Sequence, residues 1–334
     1  MIFIEFYYIN MKKIAIVCGG YSGEYEISVS SAKVVKKHLD PKKYDAYVIV
    51  VQKDRWYHLE DDGTKTDVDK NDFSIKVKGK KVVFDAVFNA IHGVPGEDGQ
   101  LLGYFDMLRI PYTSSNFTTS ALTFHKEFCK KIAAAAGANV SPSVVINRGE
   151  EYDAKNIIKT LGLPLFVKPT RNGSSVGVSK VKAEEDFVKA VDDAFKAGDQ
   201  VMCEKFVKGR ELACTVMQVK GKTMVFPITE IVSKNDFFDY EAKYTAGKSD
   251  EITPADLDEV SEIEVKATSA MLYDQFECKG FARFDYIMTP KQLVFIEVNI
   301  VPGMSEASIM PKQAACMGIT LDKLFGLALE NILD

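Results

Sequence analysis

The stretch GFARFDYIMTPKQLVFIEVN, residues 280–299, decides how the rest of the chain is read. Side chains alternate across a strand with period two, so Arg283 and Asp285 share one side of the first half, and Glu297 and Asn299 share one side of the second. A three-residue hairpin loop over 290–292 sets Asp285 opposite Glu297. Two facing carboxylates and an amide oxygen repel one another or lie unsatisfied unless a cation stands between them, and an all-oxygen set suits Mg2+ or Mn2+. The bland alternative is a wetted sheet face with incidental acids. The apolar flanking positions, and the single side shared by all four polar residues, count against it.

Upstream, VKPTRNGSSVGVSK (167–180) delivers Lys168 at the end of a buried strand, directly before a loop holding Gly173, Ser174, Ser175 and Gly177. Glycine-rich backbone can approach phosphate oxygens and point N–H groups at them, with a lysine adding positive charge. An ordinary turn is an equal alternative for this loop alone. The cation site downstream favours the phosphate reading, since Mg2+ held by one or two carboxylates usually shares its shell with phosphates. In GGYSGEYEIS (19–28) a strand turns through glycines into a helix with Glu24 near its first turn. Such an acid either complements the helix dipole or anchors a substrate ammonium. The glycines do not fit a dinucleotide-binding fingerprint. IHGVPGEDG (91–99) sets His92 and Glu97 in a loop at a strand end, where open α/β sheets contact their ligands. His38, His58 and His125 are expected on surface or helix faces, without a role.

The segments between these motifs imply α/β and α+β architecture. KKIAIVCGG, an amphipathic stretch over 27–39 and YDAYVIVV predict a βαβ opening to an open parallel sheet. A polar excursion with short strands follows over 61–81, then a buried strand over 82–92. The first domain is expected to span 1–114, with residues 1–10 an unstructured extension and translation starting at Met11. A central domain over 115–206 is read from a helix over 120–136, the strands SPSVVI, LPLFVKP and QVMCEKFV, a helix ending at Leu161 before Gly162, and a helix over 183–197. A final domain over 207–334 holds strands over 211–219 and 223–232, a polar loop over 233–254, a helix to about 276, the hairpin and two short helices.

Length supports two or three packed domains, and the 46% apolar and 27% charged composition is that of a folded cytoplasmic enzyme. No apolar run approaches the roughly 20 residues that span a bilayer, so no membrane association is expected. The first ten residues lack the basic region and cleavage site of a signal peptide. Six scattered cysteines fit reduced thiols in the cytosol. A net charge of −5 with short, separated lysine pairs argues against nucleic acid as a partner.

In this order, GGYSGEYEIS, HGVPGEDG, VKPTRNGSSVGVSK, EKFVKGRE, YEAKY, GFARFD and EVNIVPGMSEASIMP resemble the D-alanine-D-alanine ligases of the ATP-grasp superfamily, over nearly the whole chain from Met11. The resemblance implies two α+β domains sandwiching ATP. It implies Asp285, Glu297 and Asn299 as ligands of two Mg2+ or Mn2+ ions, and Lys126, Lys168 and Ser175 on the nucleotide's phosphates. Glu204, Lys205 and Val207 are then beside adenine, and Glu211 on the ribose. By the same resemblance Glu24 anchors the first D-alanine's ammonium and His92 lies near its carboxylate, while Arg283 and the Gly303 N–H stabilise an oxyanion. Ser308 and the Ile309 N–H grip the second D-alanine. Lys243 and Tyr244 lie in a mobile loop, with the tyrosine closing on Glu24 and Ser174. A homodimer is also implied. Phe124, His125 and Ile300 depart from the family pattern but leave the functional side chains in place.

The implied reaction activates one D-alanine as an acyl phosphate and lets the amine of a second displace phosphate. D-lactate or D-serine as second substrate remains an alternative, with YEAKY arguing against D-lactate. The C-terminal motif disfavours other ATP-grasp enzymes. A non-catalytic nucleotide-binding module has no need of Arg283.

Overall fold

A computed structural model describes residues 11–173, 176–233 and 249–333. The chain opens as β1 (Lys12–Gly19), α1 (Tyr25–His38) and β2 (Tyr44–Val51), followed by β3 (Trp56–Leu59), β4 (Lys65–Asp67), β5 (Ile75–Val77), β6 (Lys80–Val82), β7 (Ala86–Asn89) and α2 (Gln100–Leu108). The first sheet runs β4-β3-β2-β1-β7, with β2, β1 and β7 parallel. The open parallel sheet expected from sequence is present in β2, β1 and β7, and β3 and β4 extend it with antiparallel strands at one edge. Gln52 N–H donates to Arg55 O at 3.0 Å, and so tight a reversal can only lay down an antiparallel neighbour. The strand expected over 82–92 is also shorter. After β7, Asn89 Oδ1 accepts from Ile91 N–H, and its Nδ2 donates to Gly96 O and Ser114 Oγ, which turns the chain into the 92–99 loop.

Period-two alternation gives this sheet two buried faces. Ala15, Val17, Ile49 and Val51 pack with Phe73, Leu101 and Phe105. Ile14, Ile16, Cys18 and Phe88 point the other way, into a core continuous with the C-terminal part of the chain; the Phe88 and Phe325 rings meet edge to face at 5.7 Å. His58 and His125, expected on surface or helix faces, are buried, and His58 Nδ1 is 2.9 Å from Val48 O.

The middle comprises α3 (Phe117–Phe124), α4 (Lys126–Ala135), β8 (Ser143–Asn147), α5 (Ala154–Leu161), β9 (Leu165–Pro169), β10 (Ser179–Val181), α6 (Phe187–Lys196) and β11 (Gln200–Lys205). The single helix expected over 120–136 breaks at His125, whose backbone is extended, and Lys126 N–H donates to Thr170 O at 2.9 Å. The strands form an antiparallel sheet in the order β10-β9-β11-β8.

The remainder is β12 (Arg210–Val219), β13 (Lys222–Val225), β14 (Thr229–Ser233), β15 (Ser249–Ile252), α7 (Glu259–Gln275), β16 (Phe281–Met288), β17 (Leu293–Asn299), α8 (Ile309–Cys316) and α9 (Leu321–Leu333). One strand was expected over 223–232; Pro227, which has no N–H for a ladder, separates β13 from β14. The sheet order is β15-β14-β12-β16-β17, with β13 also on β12, and helices α3 and α4 lie against β17. No helix among the described residues is long and apolar enough to cross a membrane. Burial pushes the thiols of Cys18, Cys129, Cys203 and Cys214 up to about 12, and raises Cys278 as well, whereas Cys316 at the end of α8 is exposed.

The hairpin sets Asp285 opposite Glu297, as expected, but by another route. Thr289 N–H donates to Gln292 O at 3.0 Å, so the turn has two residues at its tip rather than three. That shift is cancelled by a bulge at Ile296. Gly280, just before β16, has φ +63°, and a Cβ there would stand 1.8 Å from Thr113 O. Backbone cannot yield to that overlap. Gly280→Ala is expected to cost on the order of 4 kcal/mol, placing it among severe substitutions; a thermal melt within two or three degrees of the parent would contradict the close approach.

Candidate active site

A cleft of about 930 Å3 is lined by residues of the four-stranded and six-stranded sheets, of α1, and of the loops after β1 and β7. Its lining includes Lys126, Lys168, Glu204, Lys205, Val207 and Glu211, together with Glu24, His92, Arg283, Asp285, Glu297, Asn299, Gly303, Ser308 and Ile309. Ser174, Ser175, Lys243 and Tyr244 lie outside the described residues.

The cationic end is built on β9, β11 and α4. Met202 pairs with Lys168 across the two strands, so Glu204 is the diagonal same-face neighbour of Lys168, and Nζ reaches Glu204 Oε2 at 2.6 Å. Lys130 donates to the other oxygen of Glu204 and to Ser141 O at 2.6 Å. Burial opposes the charge on Glu204, but the two lysines outweigh it and hold the carboxyl below its ordinary value. Burial likewise works against Lys168, and Glu204 with Glu297 more than restores it. One turn before Lys130 on the same helix face, Lys126 donates to Asn172 O at 2.8 Å and lies 3.6 Å from Glu297. Sequence reasoning passed over Lys130, although its spacing of four from Lys126 was visible.

At the hairpin, Arg283 grips Asp285 with two hydrogen bonds of 2.8 Å, Nε to Oδ1 and Nη2 to Oδ2. Asn299 Oδ1 accepts from Val301 N–H at 3.2 Å. Among the described residues no three His, Cys, Asp or Glu side chains cluster as a metal site. The donor set is two carboxylates and an amide on one sheet side, all hard oxygens. It fits a Mg2+-like ion that completes its shell with oxygens from outside the protein.

At the N-terminal end, Glu24 begins α1 and is buried, its Oε2 so near Gly173 that a Cβ there would come within 3.0 Å. His92 Nδ1 lies 2.8 Å from Val301 O, which can only accept, so Nδ1 carries the proton and Nε2 accepts from Ser31 Oγ at 3.0 Å. Burial lowers its pKa and keeps the ring neutral. The expectation set His92 beside a substrate carboxylate; in the structure both ring nitrogens are engaged by protein. Glu97, half-buried and within reach of the Glu24 charge, is pushed up to about 8, chiefly by desolvation and then by that charge, while Gly93 N–H donates to it at 2.6 Å.

Opposite these, Gly303 packs so closely on Ser308 that a Cβ would meet its Oγ at 2.7 Å. Ser308 caps α8 without a side-chain cap bond, and Ser308 and Ile309 at that helix start both line the cleft. Such a terminus suits an anion.

The sequence profile described as D-ala D-ala ligase N-terminus matches residues 13–115, and that described as D-ala D-ala ligase C-terminus matches 132–330. A curated D-alanine-D-alanine ligase of Flavobacterium johnsoniae is 43% identical, with 96% of this chain and 99% of that protein covered. Among solved structures, the VanG D-Ala:D-Ser ligase of Enterococcus faecalis superposes with a TM-score of 0.86 at 31% identity, covering 96% of this chain and 99% of the other. A D-alanine-D-alanine ligase of Bacillus anthracis complexed with ATP gives 0.77 at 26% identity and covers 96% of each chain. With its profiles spanning both halves and a full-length relative at 43% identity, the chain belongs to the D-alanine-D-alanine ligase family.

Proposed function

We propose that the chain joins two D-alanines into D-alanyl-D-alanine at the expense of ATP, through D-alanyl phosphate, for peptidoglycan precursors. The observation that carries this reading is the convergence, in one cleft, of paired lysines, an all-oxygen donor set, a guanidinium and an open helix N-terminus. In the ATP-grasp arrangement, the four-stranded and six-stranded sheets hold the nucleotide between them. Lys126 and Lys168 take its phosphates, Glu204, Lys205 and Val207 its base, and Glu211 its ribose. Asp285, Glu297 and Asn299 would hold Mg2+ or Mn2+, which supplies charge neutralisation on the phosphates.

Glu24 binds the first D-alanine's ammonium. A carboxylate oxygen of that D-alanine takes the terminal phosphoryl group and ADP departs. The neutral amine of the second D-alanine, its carboxylate held by Ser308 and Ile309 N–H, then attacks the carbonyl carbon. Arg283 and Gly303 N–H meet the developing oxyanion before phosphate leaves. Orientation and exclusion of water carry much of the rate, because an acyl phosphate is otherwise hydrolysed. A second reading, D-serine as nucleophile, is supported by the likeness to the D-Ala:D-Ser ligase. The relatives at 40–43% identity named D-alanine-D-alanine ligase favour D-alanine. Phosphate release with ATP and Mg2+, compared for D-alanine alone, L-alanine, and D-alanine with D-serine or D-lactate, separates these readings; release independent of D-alanine would refute both.

Glu297→Gln is expected to abolish turnover while the protein still melts cooperatively, since an amide cannot replace a carboxylate on a cation; near-parent activity at millimolar Mg2+ would remove the metal assignment. Arg283→Ala should lower kcat by the roughly 10²–10³-fold of a lost oxyanion donor with a smaller change in ATP affinity. An unchanged kcat with collapsed ATP binding would reverse that role. For Glu97, the folded pKa of about 8 exceeds the ordinary glutamate value of 4.5, so the native state binds the extra proton and its stability falls as pH rises between the two. Glu97→Gln, which never ionises, should therefore gain on the parent from pH 5 to 8, by up to about 1.4 kcal/mol per pH unit, then run parallel above pH 8. Parallel melting curves across the whole range would mean Glu97 is ionised in the fold.

A further inference from the structure

Lys130 does not line the cleft, yet it is buried and bonded to the carboxylate that Lys168 also holds. The two lysines differ in freedom. Lys130 is also tied to Ser141 O at 2.6 Å and does not itself line the cleft, whereas Lys168 does. A carboxylate shared by two ammonium groups leaves this cluster with one net positive charge, so the second lysine can turn to an anion without leaving Glu204 buried and unpaired.

We propose that Lys130 is a positioning residue of the nucleotide site: it is the permanent counter-ion of Glu204 and thereby frees Lys168 to bind phosphate. The inference rests on the reading that ATP occupies this end of the cleft. Without Lys130, Glu204 has Lys168 as its one remaining partner in this cluster, and phosphate must compete with a buried carboxylate for that lysine. Removing one partner of a buried pair strands the other, whereas neutralising both restores the balance. The loss in Lys130→Met should therefore fall on ligands that carry phosphate, and the second substitution Glu204→Gln should cancel it.

The test compares affinities of the full chain for ATP and, by competition, for adenosine, in the parent, Lys130→Met, Lys130→Arg and the double variant Lys130→Met with Glu204→Gln. Lys130→Met is expected to weaken ATP about tenfold or more while adenosine changes less than about threefold. Lys130→Arg should return to within about threefold of the parent for ATP; in the double variant, where the base also loses the Glu204 carboxylate, the ratio of ATP to adenosine affinity should return to within about threefold of the parent's. Equal loss of ATP and adenosine in Lys130→Met, or a double variant no better than it, overturns the inference and makes Lys130 a packing residue. If Lys130→Met does not fold, the other two variants decide: an ATP-to-adenosine affinity ratio more than tenfold below the parent's in the double variant overturns the proposal, and parent-like ratios in both support it. A parent protein that binds neither ligand would instead sink the nucleotide reading itself.

Discussion

The placement of β16 between β12 and β17 is the constraint on which the rest depends. Phe281, Ala282, Phe284 and Tyr286 fill the core from this strand, and Ser269 Oγ meets Tyr286 Oη at 3.0 Å beneath α7. Because side chains alternate, a slip of one residue would turn Arg283 and Asp285 into that core and bring aromatic rings to the cleft. The bulge at Ile296 matters for the same reason. It lets a tight turn coexist with the pairing of Asp285 and Glu297, and Ile296 and Glu297 both line the cleft.

Around that strand, ionic groups are brought out of water in matched sets. Arg283 answers Asp285, Lys126 stands near Glu297, and two lysines share Glu204. His92 is neutral, and Glu97 holds its proton into the neutral range. Buried pairs of this kind are weak contributors to stability, because desolvation offsets most of their attraction. Their value here is geometric: each fixes a side chain that faces the cleft.

Much of this was legible in the sequence because it rests on local periodicity. Alternation placed Arg283, Asp285, Glu297 and Asn299 on shared sides, and glycines marked the loops around Glu24, His92 and Gly173. The pairing of Asp285 with Glu297 was foreseen from a loop length that proved wrong, and was rescued by a bulge that no period announces. The break at His125 was hidden because it accompanies a hydrogen bond from Lys126 N–H to Thr170 O, 44 positions away. Lys130 reads as an ordinary helix-surface lysine until tertiary packing supplies Glu204 and Ser141. The antiparallel edge of the first sheet was missed because a short turn at 52–55 carries no strong glycine or proline signal.

The distribution of the cysteines makes the protein selectively addressable. A thiol reacts as its thiolate, so five sulfurs held proton-bound by burial are inert to electrophiles near neutral pH, and Cys316 alone is open to solvent. Cys316 closes the helix whose opposite end lines the cleft at Ser308 and Ile309. A maleimide-borne fluorophore would thus attach at one place without prior cysteine removal. It would report from the far end of α8, outside the chemistry, on whatever docks at the near end.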